Sequence, residues 1–300
     1  MNESPIGVFD SGVGGLTVLK ALAAELPHER FVYLGDTARL PYGTKSPETV
    51  ARYAVQAAEA LLEYGVKCLV IACNTASSVG LRAIREHIEG IPVVGVIEPG
   101  AEAACAASKS GHIAVIATEG TVRGGAYQEA ILRLRAGARI VALPTQLFVA
   151  LAEEGLHEGT IAEDVARHYL WPVFQHGSID ASAVRNAVTG VISSRSAHVV
   201  PPADANANER PDTLVLGCTH FPMLDRAIRA AVGPDIRIVD SAATTAKSVR
   251  ELLDRQSLTR HAGEHATRFL ATDSVERFAR TGSRFLSRLI DPAEVELIDL

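Results

Sequence analysis

Short apolar segments alternate with longer helical patterns along almost the whole chain of 300 residues. Ile6–Phe9 and Leu214–Gly217 are examples of the apolar segments, and each precedes a helical pattern. This alternation is typical of βαβ units, in which a helix connects two parallel strands. The sequence therefore predicts an α/β fold with mainly parallel sheets.

The alternating pattern occurs twice. Ile6–Phe9 aligns with Ile113–Ile116, and each segment is followed by a glycine-containing loop and a helical pattern. Leu69–Cys73 aligns with Leu214–Cys218, so that a cysteine stands at the same end of both strands. We therefore expect two pseudo-symmetric parallel-sheet α/β domains with the active site between them.

The domain boundaries follow from the lengths of the two copies of this alternating pattern. The first alignment spans 73 − 6 = 67 residues and the second 218 − 113 = 105. The surplus lies at about 172–212 and contains Pro201-Pro202-Ala203-Asp204, a loop composition that indicates a surface insertion. After the strand predicted at Val93–Ile97, Glu98-Pro99-Gly100 indicates a turn or hinge. The predicted domains are residues 1–98 plus about 241–300, and residues 99–240.

Charge and cysteine content exclude several classes of protein. The net charge is −6 and the basic residues are scattered, which argues against a nucleic-acid partner. No segment approaches the roughly 20 apolar residues that cross a membrane. The start, MNESPIGVFD, lacks the pattern of a signal peptide, so we expect a cytoplasmic protein. Four irregularly spaced cysteines then predict reduced thiols and no disulfide framework.

Two of the four cysteines follow predicted strands directly. Ligands of parallel α/β folds bind beyond the carboxyl ends of the strands, where Cys73 and Cys218 lie. A helical pattern begins after each, and a helix N-terminus favours a thiolate over a thiol. Cys68 opens a buried strand and Cys105 lies in an alanine-rich helix, so we interpret both as core residues.

Cys73 and Cys218 could have several roles. Either could be a buried structural residue, although polar residues follow both. A zinc site with His220 lacks the spacing that would complete a ligand shell. A catalytic cysteine nucleophile activated by a histidine would leave the second cysteine without a role. Two such sulfurs in matching halves suit proton removal from one face of a carbon and proton return to the other. A nucleotide loop after the first strand is rejected, because Thr17 stands where G-x-G-x-x-G needs glycine.

Four motifs resemble those of glutamate racemases, in the aspartate/glutamate racemase superfamily. They occur in family order and are Asp10-Ser11-Gly12-Val13-Gly14-Gly15-Leu16-Thr17, Asp36-Thr37-Ala38-Arg39-Leu40-Pro41-Tyr42-Gly43, Ala72-Cys73-Asn74-Thr75-Ala76-Ser77 and Gly217-Cys218-Thr219-His220-Phe221-Pro222. The chain departs from the family pattern at Gly124, where serine is common, and at Ala150, where proline is usual.

The resemblance implies a reaction and a set of residues. It implies interconversion of L- and D-glutamate without pyridoxal phosphate or metal, supplying D-glutamate for peptidoglycan and hence for cell shape. Cys73 would deprotonate D-glutamate with help from Asp10, and Cys218 would deprotonate L-glutamate with help from Glu153 and His220. The implied substrate-binding residues are Asp10, Ser11, Tyr42, Gly43, Asn74, Thr75, Thr118, Thr121, Thr219 and His220.

Two alternatives remain open from the sequence. An aspartate racemase or another isomerase of the superfamily would carry similar cysteines, because pocket size is not readable from sequence. A binding module for an acidic amino acid would bind its ligand without exchanging the α-hydrogen. The expected partner is a small molecule, with neither nucleic acid nor membrane, and a homodimer remains an open alternative for the assembly.

Overall fold

The computed structural model describes residues 2–174, 199–200 and 210–300. The chain divides into two compact units. Unit 1 combines Met1–Pro99 with Ser241–Leu300, and unit 2 is Gly100–Asp240. Most of the predicted insertion at about 172–212 lies outside the described residues, so its placement on the surface stays a prediction.

Each unit is built on one sheet. The strands are β1 (Ile6–Asp10), β2 (Arg30–Gly35), β3 (Cys68–Ile71), β4 (Val93–Gly95), β5 (His112–Ala117), β6 (Arg139–Pro144), β7 (Val199–Val200), β8 (Thr213–Gly217), β9 (Arg237–Asp240), β10 (Ala266–Ala271) and β11 (Val295–Leu297). The order in unit 1 is β11-β10-β2-β1-β3-β4, all parallel. Within the described part of unit 2 it is β7-β6-β5-β8-β9, with β7 antiparallel. This arrangement confirms the predicted pair of parallel-sheet α/β domains.

Helices connect and cover these strands. Over the described residues they are α1 (Leu16–Glu25), α2 (Pro47–Leu62), α3 (Asn74–Val79), α4 (Leu81–His87), α5 (Ile97–Ala107), α6 (Glu119–Gly124), α7 (Ala126–Leu134), α8 (Leu147–Glu154), α9 (Thr160–Phe174), α10 (Asp225–Val232), α11 (Ser241–Arg255) and α12 (Val275–Leu286). Short 3₁₀ helices lie at Tyr42–Thr44, Phe221–Leu224 and Pro292–Glu294. None of the helices in the described ranges is long and apolar enough to span a membrane.

The strand registers confirm the internal repeat. In unit 1 Phe9 of β1 pairs with Ile71 of β3, two residues before Cys73. In unit 2 Ile116 of β5 pairs with Leu216 of β8, two residues before Cys218. The central strands β1 and β5 and their neighbours β3 and β8 are buried along their whole length, as parallel strands covered on both faces must be. Each cysteine therefore occupies the same place relative to its own sheet.

One local prediction was wrong. Glu98-Pro99-Gly100 forms no turn but lies in the first turns of α5, because proline lacks only an N–H that the start of a helix leaves unbonded. Glycines separate two pairs of helices. Helices α3 and α4 meet at Gly80. Helices α6 and α7 are separated by Gly125, which has the left-handed conformation with φ 71°.

Candidate active site

Cys73 lies directly beyond β3 and caps helix α3. The cysteine is buried, and its Sγ accepts a hydrogen bond from the Ala76 amide at 3.4 Å. The Ser11 hydroxyl lies 3.5 Å from the same sulfur. An amide and a hydroxyl within hydrogen-bond distance stabilise negative charge on sulfur, as a thiolate base requires. The polar residues after Cys73 therefore indicate the start of α3 correctly. The residue that caps this helix is Cys73 itself.

Asp10 ends the neighbouring strand β1 and is buried beside the Cys73 strand. Its Oδ2 accepts a hydrogen bond from the Gly12 amide at 2.9 Å, which fixes the turn after β1. Gly15 packs against it so closely that an added Cβ would lie 2.5 Å from Asp10 Cβ and 3.0 Å from Ala72 Cβ. Only glycine allows this contact, so the glycines of the motif hold the carboxylate close to the end of β3.

Tyr42 and Gly43 lie in a short 3₁₀ helix in unit 1, and both are buried. The Tyr42 hydroxyl donates a short hydrogen bond to Asp36 Oδ2. Burial, followed by the negative charge of Asp36, raises the pKa of Tyr42 well above its ordinary value. The Tyr42 side chain is thus committed to Asp36, which leaves the backbone of this segment for any role in substrate binding.

In unit 2, Cys218 lies directly beyond β8 beside a histidine, and a carboxylate contacts the other side of that histidine ring. His220 Nδ1 lies 3.7 Å from Cys218 Sγ and 3.4 Å from the Thr219 hydroxyl. On the other side of the ring, His220 Nε2 lies 3.1 Å from Glu153 Oε1. The structure thus brings Cys218, His220 and Glu153 into one series of polar contacts.

An aromatic contact holds together the two segments that carry Glu153 and His220. Glu153 belongs to α8, whose buried Phe148 packs edge-on against Phe221 with ring centroids 5.4 Å apart. Phe221 directly follows His220. The packing therefore fixes the helix that carries the carboxylate against the loop that carries the imidazole.

The electrostatics of His220 favour the imidazolium. Burial lowers the pKa of His220, but hydrogen bonds to Cys218 and Glu153 outweigh it and raise the pKa to about 10. Because the folded pKa exceeds the ordinary value, the protonated ring stabilises the native state. This contribution is complete below about pH 6.5 and is lost as the pH rises through about 10. A cation beside Cys218 Sγ stabilises negative charge on that sulfur.

Changing Glu153 to Gln should lower the pKa of His220 by about one unit or more, because a nearby carboxylate favours the charged ring. An NMR pH titration of the His220 ring resonances measures the shift. Glu154→Gln is the matched control, since Glu154 is the adjacent carboxylate on the same helix and is exposed. Equal pKa values of His220 in the wild type and in Glu153→Gln would contradict the contribution of this carboxylate.

The remaining predicted binding residues divide between the two units. Asn74 and Thr75 are buried at the start of α3, next to Cys73. Thr118 follows β5 and caps α6, with its Oγ1 3.4 Å from the Thr121 amide and 3.0 Å from the Thr121 hydroxyl. Every predicted site residue therefore lies at the carboxyl end of a strand of its own sheet, or in a segment in contact with that end.

Asp36 has no role predicted from the sequence. This carboxylate follows β2 and is completely buried. Besides the Tyr42 hydroxyl, it accepts hydrogen bonds from Arg39 Nε at 2.6 Å and from the Thr272 hydroxyl at 2.9 Å. Asp36 thereby connects the 3₁₀ segment to the end of β10. The signal was available, because Asp36 stands at the same edge of the sheet as Asp10.

Comparisons with known proteins agree with this geometry. Residues 7–171 match the Asp/Glu/hydantoin racemase family. A glutamate racemase from Geobacter metallireducens is 45% identical over 294 residues, which cover 97% of this chain and 96% of the relative.

Solved structures match over the full length. The structure of a Bacillus anthracis glutamate racemase has a TM-score of 0.84 at 33% identity and covers 100% of this chain and 99% of its own. That of the Francisella tularensis glutamate racemase in complex with D-glutamate has a TM-score of 0.81 at 32% identity and covers 100% and 98%. The chain therefore belongs to the glutamate racemases, within the Asp/Glu/hydantoin racemase family, and is an amino-acid racemase, an isomerase.

Proposed function

We propose that this chain interconverts L- and D-glutamate by a two-base mechanism, with Cys73 as the base for D-glutamate and Cys218 as the base for L-glutamate. The observation that supports it best is the equivalent placement of the two cysteines, each two residues beyond the strand residue that pairs with the central strand of its sheet. D-Glutamate formed in this way would serve peptidoglycan synthesis in the cytoplasm.

The proton balance requires both sulfurs. In the direction from D to L, the Cys73 thiolate takes the α-proton and becomes a thiol. The Cys218 thiol then gives its proton to the opposite face of the α-carbon and becomes a thiolate. The reverse direction uses the same steps with the roles exchanged. The site must therefore hold one thiolate and one thiol at the start of each turnover.

Helper groups differ between the two cysteines. Asp10 and Ser11 belong to the Cys73 side, where the Ser11 hydroxyl contacts the sulfur. His220 and Glu153 belong to the Cys218 side, where the imidazolium lies beside the sulfur and the carboxylate holds the ring. Charge that develops on the substrate carboxylate needs hydrogen-bond donors, which Ser11, Asn74, Thr75 and Thr219 supply with their side chains or amides.

Circular dichroism of glutamate tests the proposed activity. Purified protein without any added cofactor should convert L-glutamate to the racemic mixture, and the ellipticity should fall to zero. The ellipticity of D-glutamate, which has the opposite sign, should also fall to zero. L-Aspartate should change at least about 100-fold more slowly, because a pocket built for one chain length pairs its polar groups poorly with another. Faster conversion of L-aspartate than of L-glutamate would show that aspartate is the substrate. Binding of glutamate without conversion would show that the protein is a binding module.

A further inference from the structure

Tyr33 of β2 is buried, and its hydroxyl lies under the loop that follows β1. The side chain has no exposed surface, and its ring packs against Phe278 with centroids 6.0 Å apart. The hydroxyl donates a hydrogen bond to the Gly12 carbonyl at 3.0 Å. A buried tyrosine needs a partner for its hydroxyl, and here that partner is the backbone of a site loop.

The loop at Gly12 is held from two directions. Its amide donates to Asp10 Oδ2 at 2.9 Å, and its carbonyl accepts from Tyr33 at 3.0 Å. Gly35 lies directly beneath, so close that an added Cβ would lie 2.3 Å from the Gly12 carbonyl oxygen. Both polar groups of one peptide segment are thus fixed next to Ser11.

The charged groups of the site lie within electrostatic reach of the Tyr33 hydroxyl. Burial raises the pKa of Tyr33 well above its ordinary value, and the negative charges of Asp10 and Cys73 raise it further. Ser11, one residue before Gly12, places its hydroxyl 3.5 Å from Cys73 Sγ. A displacement of Gly12 would therefore move the Ser11 hydroxyl that contacts the sulfur.

We propose that Tyr33 is a positioning residue for the Cys73 half of the racemase site, because its hydrogen bond to Gly12 holds Ser11 and Asp10 in place beside Cys73. The proposal deepens the proposed function and rests on it. Tyr33 acts through the Gly12 loop and through its interaction with the Asp10 side chain. Its loss should therefore weaken proton transfer at Cys73 and leave proton transfer at Cys218 unchanged.

Isotope effects separate these two proton transfers. The enantiomers have equal free energies, so any variant must lower kcat/KM equally in both directions, and rates alone cannot show which cysteine is impaired. In Tyr33→Phe, kcat/KM should fall about tenfold, as expected for a lost hydrogen bond in a buried site. The kinetic isotope effect should rise for α-deuterated D-glutamate, whose deuteron Cys73 removes. It should fall toward unity for α-deuterated L-glutamate.

The matched control is Tyr64→Phe. Tyr64 also belongs to unit 1, and its hydroxyl donates to Glu296 Oε1 at 3.3 Å, a contact outside the site. This variant should keep the wild-type rates and isotope effects. If Tyr33→Phe does not fold, Ser11→Ala takes its place, because the proposal requires the same change in isotope effects when the hydroxyl beside Cys73 is removed. Unchanged isotope effects in a folded Tyr33→Phe variant would overturn the proposal.

Thiol alkylation gives a second readout that needs no substrate. Iodoacetamide modification, followed by mass spectrometry of the Cys73 and Cys218 peptides, reports each sulfur separately. In Tyr33→Phe the pH of half-maximal alkylation should rise for Cys73 and stay constant for Cys218. If the wild type failed to racemise glutamate, the proposed function would be wrong, and this measurement would still decide the role of Tyr33. Equal behaviour of Cys73 in both proteins would then overturn it.

Discussion

Replacing Cys73 or Cys218 by alanine is expected to lower kcat/KM for glutamate by about a thousandfold or more, the upper range for a lost general acid or base. One sulfur alone can remove a proton but cannot return it to the opposite face. The loss should be of similar size for the two variants. The double variant should be little worse than either, because residues that act as one unit give non-additive effects. Circular dichroism at high enzyme concentration measures these rates.

Cys105→Ala is the control for this pair. Cys105 is a partly buried cysteine near the end of α5, and its Sγ lies 3.9 Å from the Ile131 carbonyl oxygen of α7, so the variant should retain wild-type activity. Substantial racemisation by Cys218→Ala would remove the two-base mechanism and leave an enzyme with one cysteine.

Heavy water provides an independent readout of the same mechanism. Product formed early from L-glutamate should carry deuterium at the α-carbon, because the second sulfur supplies a solvent-derived hydron. Unreacted L-glutamate should stay largely protonated. A single shared base would instead return the original proton or place deuterium in both pools, and NMR of the α-hydrogen distinguishes these results.

Changing Lys67 to Met should lower the free energy of unfolding by about 3–5 kcal/mol, the range for removing one partner of a buried ion pair. Lys67 Nζ lies 2.7 and 2.9 Å from the Glu29 carboxylate oxygens and also donates to the Asn2 and Leu258 carbonyls. Both side chains are about 1% exposed, so Glu29 would keep a buried charge without its cation. Urea unfolding followed by far-UV circular dichroism measures the loss.

The double variant Glu29→Gln with Lys67→Met is the control. It removes both charges and should recover much of the loss, because a buried pair contributes less than the cost of breaking it. The pair precedes β2 and β3, at the opposite strand ends from Cys73. Activity of the folded variants should therefore be unchanged. If the free energy of unfolding of Lys67→Met fell by less than about 1 kcal/mol, this result would show that water reaches Glu29.

Much of the site was predictable because it depends on strand ends. An apolar segment that ends in a cysteine and is followed by polar residues identifies Cys73 and Cys218 without any coordinates. Glu153 was implied by the family resemblance and not by its own surroundings, since α8 carries two adjacent glutamates and only the contact with His220 Nε2 distinguishes Glu153 from Glu154. Tyr33 gave no signal either. A tyrosine in an apolar strand reads as core, and its hydroxyl partner is a carbonyl 21 residues earlier.

The fold was predictable in its class and repeat but less so in its boundaries. Apolar runs and the paired cysteines indicate two similar sheets, and the registers of β3 and β8 confirm the alignment. Pro99 was interpreted as a turn because sequence alone does not distinguish a proline in the first turns of a helix from one in a loop. The short edge strand β11 was missed, since three residues that cover one edge of a sheet carry little periodic signal.

The division of the chain into units has a consequence for synthesis on the ribosome. Unit 2 is continuous and complete once Asp240 has emerged, whereas unit 1 still lacks its last 300 − 240 = 60 residues. Until then β2 has no neighbour on the side where β10 pairs in the finished sheet, and α1 lacks the helix α11 that packs on it. A nascent chain at this stage presents an unpaired strand edge, a feature prone to association. The Cys218 half can therefore form while the Cys73 half, though made first, still lacks residues 241–300.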